Sequence, residues 1–248
     1  MFRHRGKART LRHNLAIASL LSFVAGMVNV VGFLSIQQLT TNVTGHFAYF
    51  MEEVLHWKLW EGLAFFLYIL FFLAGAFFSN LLVELKSLKQ EANVFVLPVL
   101  MEAFLLVLAA LTGPTLISSN PNLLAYLLLF AMGMQNSLVT SISNATVRTT
   151  HLTGLFTDLG IELSQLFFYR KEEQRKKLTA SIRLRLTIIS FFFLGGIAGG
   201  LPFKNFGLRI LLLGALVLIA GLLYDTIKIH VLLYARNKKQ DYRNNRKS

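Results

Sequence analysis

"TTNVTG", residues 40–45, returns about a hundred positions later as "TTHLTG", residues 149–154, changed only at Asn42/His151 and Val43/Leu152. What precedes and follows each copy also repeats. A long apolar window containing "AGMVN" (Ala25–Asn29) leads into the first, and one containing "MGMQN" (Met132–Asn136) leads into the second. After each come two more apolar windows, the nearer pair carrying "FFLAGA" (71–76) and "FFLGGI" (192–197). A phrase kept at one place in two triplets of windows is the mark of an internal duplication.

The windows themselves place the chain in lipid. The composition is 54% hydrophobic with 22 Phe and only 15% charged residues, against about a quarter charged in ordinary soluble domains. Six stretches, near 14–36, 61–83, 93–113, 122–143, 184–203 and 207–233, are apolar over the roughly 20 residues a helix needs to cross about 30 Å of hydrocarbon. The first is too long for a removable signal peptide and lacks a small-residue cleavage site, so it reads as a retained span. The expected fold is an all-α integral membrane protein in one membrane domain. Six transmembrane helices form two three-helix repeats, 1–116 and 117–248.

Six crossings put both termini on one side. Of the 25 Lys and Arg residues only Lys58, Lys204 and Arg209 then fall opposite, so the positive-inside rule assigns both termini to the cytoplasm. The formal charge of +13 is thereby topological, and a nucleic-acid partner is not expected. An odd number of spans per repeat turns the second copy upside down, about a pseudo-two-fold axis in the membrane plane.

A short helical pattern follows each phrase, 46–57 and 155–168. At 1.5 Å per residue it reaches only roughly 20 Å, which suits a re-entrant half-helix or an amphipathic helix at the interface. A rival count of eight crossings would move Lys86, Lys89 and Arg148 across and Lys58 back; the helix length disfavours it. The Thr residues are expected as N-caps and the Gly residues as turning points. Two helix N-termini at mid-depth would together form a polar cradle of free N–H donors.

"AGMVNVVGF", "TNVTGH" and above all "MGMQNSLVTSISNATVRTTHLTGLFTDLG" (132–160) resemble the YoaK-type family, six-span bacterial membrane proteins carried as a domain of unknown function. The resemblance covers nearly the whole chain. It implies a bacterial inner (cytoplasmic) membrane and six helices, and no activity.

From the residues, the candidate substrate-binding set is Asn29, Thr41, Thr44, Gly45, Asn136, Thr150, Thr153 and Gly154. The structural alternative has both Asn side chains bonded to the broken backbone of the neighbouring half-helix, and the Thr hydroxyls acting only as caps. Asp158 and Glu102 are proton-coupling candidates, since intramembrane acids often carry protons. Asp158 could equally pair with Arg148 or Lys171, and Asp225 with Lys228. Glu102, after a helix-kinking Pro98, shows no evident partner. His46 and His151 lack the carboxylates of a metal site, and with no cysteine no cofactor is expected. The overlapping GxxxG spacings at Gly195–Gly199 and Gly196–Gly200, and Gly75 with Ser79, read as close-packing devices, a homo-oligomer surface being the lesser reading.

No nucleophile elbow, zinc-protease motif, P-loop or dinucleotide fingerprint is present, so an enzyme is not expected. Two functions fit: a small secondary transporter or channel-like permease for a small, anionic solute, or a non-transporting membrane scaffold whose partner docks on the basic loop 170–185. In both the lipid bilayer is the constant partner.

Overall fold

In a computed structural model, residues 10–89, 93–143 and 145–244 are described, with side chains as far as Ile227. The described residues are helical, without strands: α1 (Leu11–Ile36), α2 (Val43–Leu55), α3 (Leu59–Leu88), α4 (Val96–Ser119), α5 (Pro121–Ser143), α6 (Leu152–Phe168), α7 (Glu172–Gly200), α8 (Phe203–Phe206) and, after a 3₁₀ turn, α9 (Leu211–Asn244). Six helices are long and apolar enough to cross a membrane: α1, α3, α4, α5, α7 and the stretch Phe203–Ile227. The chain is a multi-pass membrane protein.

Two crossings hold the bundle together. A Cβ on Gly26 of α1 would strike the carbonyl of Phe192, and one on Gly195 of α7 would strike the carbonyl of Phe23. The same exchange joins α3 and α5, where Gly75 abuts Phe130 and Gly133 abuts Phe72. Each close approach sets a glycine against a phenylalanine carbonyl of the other helix, and the dispersion gained replaces the hydrophobic effect that lipid cannot supply. The GxxxG spacings thus face the bundle interior: Gly195 and Gly199 both rest on α1. These contacts also correct the alignment of "FFLAGA" with "FFLGGI". Gly75 matches Gly195 and Phe72 matches Phe192, one residue out of register with the letters. The second copy carries an extra phenylalanine, Phe193, that shifts the letters by one, whereas packing follows the glycine.

Directions follow from the contacts. Phe23 lies beside Gly195 and Met27 beside Gly199, so α1 and α7 run parallel. Tyr68 bonds Asn122, and Asn80 bonds Ser141, so α3 and α5 do too. Gly113 meets Leu208 while Gly214 meets Leu106, so α4 and α9 run antiparallel. Six crossings require that; eight would make α4 and α9 parallel.

Several boundaries differ from the hydropathy windows. α7 begins at Glu172, a dozen residues before its window, because its first turns carry RKEEQRKK-type residues that are helical yet charged. α4 runs on through Pro114 to Ser119, so the halves join at Asn120. Pro98 lies in the first turn of α4, where its missing N–H would have no partner in any case, so it does not act as the expected kink.

Each phrase is a fold-back. α1 ends at Gln37 in left-handed conformation, its N–H donated to the Phe33 carbonyl. α5 is followed by Ala145, also left-handed, which donates its N–H to the Thr140 carbonyl. The chain then doubles back along the helix it has just left, and Gly32 makes the room in the first half, since a Cβ there would meet Thr40. The short helices turn outward again. His46, Phe50 and Glu53 of α2 lie against Tyr68, Phe66 and Gly62 of α3, and Asp158 and Glu162 of α6 against Arg185 and Ser181 of α7, both antiparallel. Neither spans. Trp57 and Trp60 stand 86% exposed where α2 gives way to α3, and Phe167 and Phe168 are exposed at the end of α6; such aromatic girdles sit at membrane–water interfaces.

Candidate functional site

In each half the phrase is tied to its own spanning helix by one bond. Thr41 donates its hydroxyl hydrogen to Asn29 Oδ1 at 2.8 Å, and Thr150 donates to Asn136 Oδ1, also at 2.8 Å. Asn29 and Asn136 each precede the end of their helix, Ile36 and Ser143, by seven residues, or about 10 Å of helix rise. The phrases therefore lie well inside the ends of the bundle. The expectation that the two Asn side chains satisfy broken backbone is corrected: each accepts from a Thr side chain instead. In the first half Thr40 adds a bond to the Val28 carbonyl at 3.1 Å. Its counterpart Thr149 is fully buried with an unpartnered hydroxyl.

The helix starts differ from expectation and from each other. The α2 N-cap is Asn42, not a threonine; its Oδ1 accepts from the N–H groups of Thr44 and Gly45 at 2.9 and 3.4 Å. Thr41 stands one residue before the cap position, with its hydroxyl hydrogen donated to Asn29. α6 starts from His151 with no side-chain cap, so the N-cap side chain takes none of its first N–H groups. Half of the expected cradle is filled by Asn42, and the uncapped start belongs to the second phrase.

Both phrases border one cavity of about 690 Å³. Asn29, Thr41, Thr44, Thr150, Thr153 and Gly154 line it, and Asn42 and His151 join them. The rest of the wall is apolar, from Leu39, Ile69, Phe72, Leu73 and Phe192 among others. Two of the candidate residues fall elsewhere. Gly45 is not in the wall; the room its missing Cβ leaves is filled by Leu39. Asn136 stands behind Thr150 as its support, with a buried amide nitrogen that has no partner.

The acids also take other places. Glu102 is fully buried between α4 and α5, away from the cavity lining, and accepts a hydrogen bond from Gln135 Nε2 at 2.8 Å. Its expected lack of a partner is thus corrected, and Gln135, one residue from the Asn of the repeat, is the polar group that the sequence reading passed over. Asp158 pairs neither with Arg148 nor with Lys171 but with Arg185 of α7, at 2.8 Å. Arg185 also holds Glu162 at 2.9 Å, whose other oxygen accepts from Ser181 at 2.6 Å. The expected Asp225–Lys228 pair involves a side chain outside those described.

His46 is buried, its Nε2 against the Leu39 carbonyl and its ring against Tyr68. Burial holds its pKa below the usual histidine value, the Leu39 bond opposing. His151 is lowered too, by burial first and by the Arg148 charge second.

Six helices long and apolar enough to cross a membrane, two chain reversals and a shared cavity bordered by both define a helical membrane protein. The chain belongs to the family described as "Protein of unknown function (DUF1275)", whose profile matches residues 17–224. No curated protein matches it, and no solved structure does.

Proposed function

We propose that this protein is a permease for a small polar solute, built from two inverted three-helix repeats around the cavity between the two phrases. One observation carries the reading: segments about a hundred residues apart, each held by the same Thr–Asn bond to equivalent helices, border a single cavity. Re-entrant segments from opposite faces meeting at one site are how inverted-repeat transporters are organised. Inversion is further supported by the exchange of contacts, since α1 on α7 and α3 on α5 are the same pairing with the halves interchanged. In this reading the positive-inside rule puts both termini in the cytoplasm, and the membrane is the bacterial cytoplasmic one.

In this reading Thr44 and Thr153 offer hydroxyls to the solute, Asn29 and Asn136 hold the phrases in place, and the uncapped start of α6 favours an anionic group. No chemical conversion is assigned to the site. Glu102, sealed away beside Gln135, is a poor proton relay; Asp158, half exposed at 51%, is the better one.

The test is flux. Proteoliposomes are shrunk by a hypertonic step of formate, acetate, nitrate, urea or glycerol, and their recovery as the solute enters is followed by light scattering. At least one solute should enter faster than in protein-free vesicles, and Thr44→Val with Thr153→Val should cut that excess by about tenfold, the effect of losing roughly 1.4 kcal/mol of binding. No excess for any solute, or an excess untouched by the double variant, would sink the proposal.

A further inference from the structure

Behind the start of α6 lies a second cavity of about 370 Å³, which shares His151 and Gly154 with the first. Its remaining wall includes Arg148, Asp158, Ser181 and Arg185. Two guanidiniums and one carboxylate therefore face it. Arg185 is committed, bonded to Asp158 and Glu162. The Glu162 carboxylate is committed in turn, its two oxygens accepting from Ser181 and Arg185. Arg148 is exposed and carries no ion pair or hydrogen bond with any described residue. Asp158 is the one carboxylate of this wall, and its bond goes to Arg185. His151 beside it is held neutral over a wider pH range by burial and by Arg148 itself, so it does not compete for an anion near neutral pH.

We infer that this chamber is an oxyanion site, in which the free guanidinium of Arg148 receives a phosphate, sulfate or carboxylate group on the far side of the His151–Gly154 wall from the main cavity. Guanidinium forks match the geometry of two oxygens on one centre, and a basic group in a partly enclosed pocket concentrates anions from solution. The chamber's place as an antechamber to the cavity rests on the permease reading; its choice of ligand does not.

Because the chain has no cysteine, a single thiol reports the local potential. Thr146, in the chamber wall, is replaced as Thr146→Cys. It is labelled with an anionic sulfonatoethyl and a cationic trimethylammonioethyl methanethiosulfonate, each rate divided by that of a free thiol. The anionic reagent should be favoured several-fold, and Arg148→Gln should remove the preference. Arg170→Gln, which deletes the same charge beyond the end of α6, should leave it. Inorganic sulfate at matched ionic strength should slow labelling in detergent if a dissolved anion is bound. Protection only in vesicles containing phosphatidylglycerol, and not in phosphatidylcholine alone, would assign the site to a lipid headgroup of the same chemistry. Equal effects of the two Arg variants, or no preference at either Thr146→Cys or Ala145→Cys, would overturn the inference. A labelling preference that survives alongside a failed flux test separates this site from the transport proposal.

Discussion

α2 and α6 grow from nearly the same six residues, yet they are fastened by opposite chemistry. α2 is clasped by rings: His46 is fully buried between Phe65 and Tyr68, Tyr49 lies on Phe65 and Phe50 on Phe66, and Asn42 caps the helix. α6 buries only Leu155 and Leu159, has no cap, and is fixed to α7 by the forked Arg185. Its Gly154 and Gly160 have open space where a side chain would stand. Aromatic packing in lipid resists both salt and small displacements, whereas an ion pair at a polar chamber gives way when either charge is screened or lost. The lesson is that a duplicated motif can keep its anchoring bond and diverge in how the helix after it is fastened, α2 by rings and a cap and α6 by charge.

The sharpest way to break that contrast is at Arg185. Arg185→Gln leaves Glu162, only 13% exposed, without its counter-charge. Loss of a buried partner costs about 3–5 kcal/mol, and with Asp158 half exposed to water roughly 2–3 kcal/mol is expected for α6 docking. Hydrogen exchange of α6 amides should rise about a hundredfold while α2 is unchanged; equal change in both helices would refute the difference. His46→Ala is the mirror experiment. It should loosen α2 by about 2 kcal/mol through the cavity and the lost ring contacts, sparing α6.

Smaller effects refine the picture. Asn42→Ala should cost α2 about 1 kcal/mol, and His151→Asn should give α6 a cap of the same worth, each read from local amide exchange. Raising salt should speed exchange in α6 alone, because only its fastening is partly exposed and ionic. Acid, by contrast, should weaken both. His46 and His151 have folded pKa values below their ordinary one, so folding favours the neutral ring; that stability is complete above about pH 6.5 and drains away as pH falls through the lowered values. His46→Gln should blunt the acid response of α2 only, and His151→Gln should reduce that of α6, whose carboxylate fastening remains.

Much of this was legible in the letters. The spans, the phrase and the small residues at the crossings are local signals, since hydropathy and repetition need no knowledge of packing. What escaped was set by distance and by competition. Arg185 lies 27 positions from Asp158 and Gln135 lies 33 from Glu102, and nothing in either neighbourhood names the other. The cap fell to Asn42 because α2 starts at Val43, one residue later than a Thr41 cap would need, a boundary that the letters do not mark. The start of α7 was missed because hydropathy cannot see a helix that is charged for its first turns.

The glycine crossings bear on how the chain is born. α1 finds its mate in α7 and α5 finds its mate in α3, so neither half contains its own tightest contacts. Until the fifth span leaves the ribosome, the glycine face of the first must rest against lipid or the insertion machinery. Assembly therefore finishes late, with α5 joining α3 before α7 joins α1, and two unlinked halves brought together in one bilayer would carry both crossings between them.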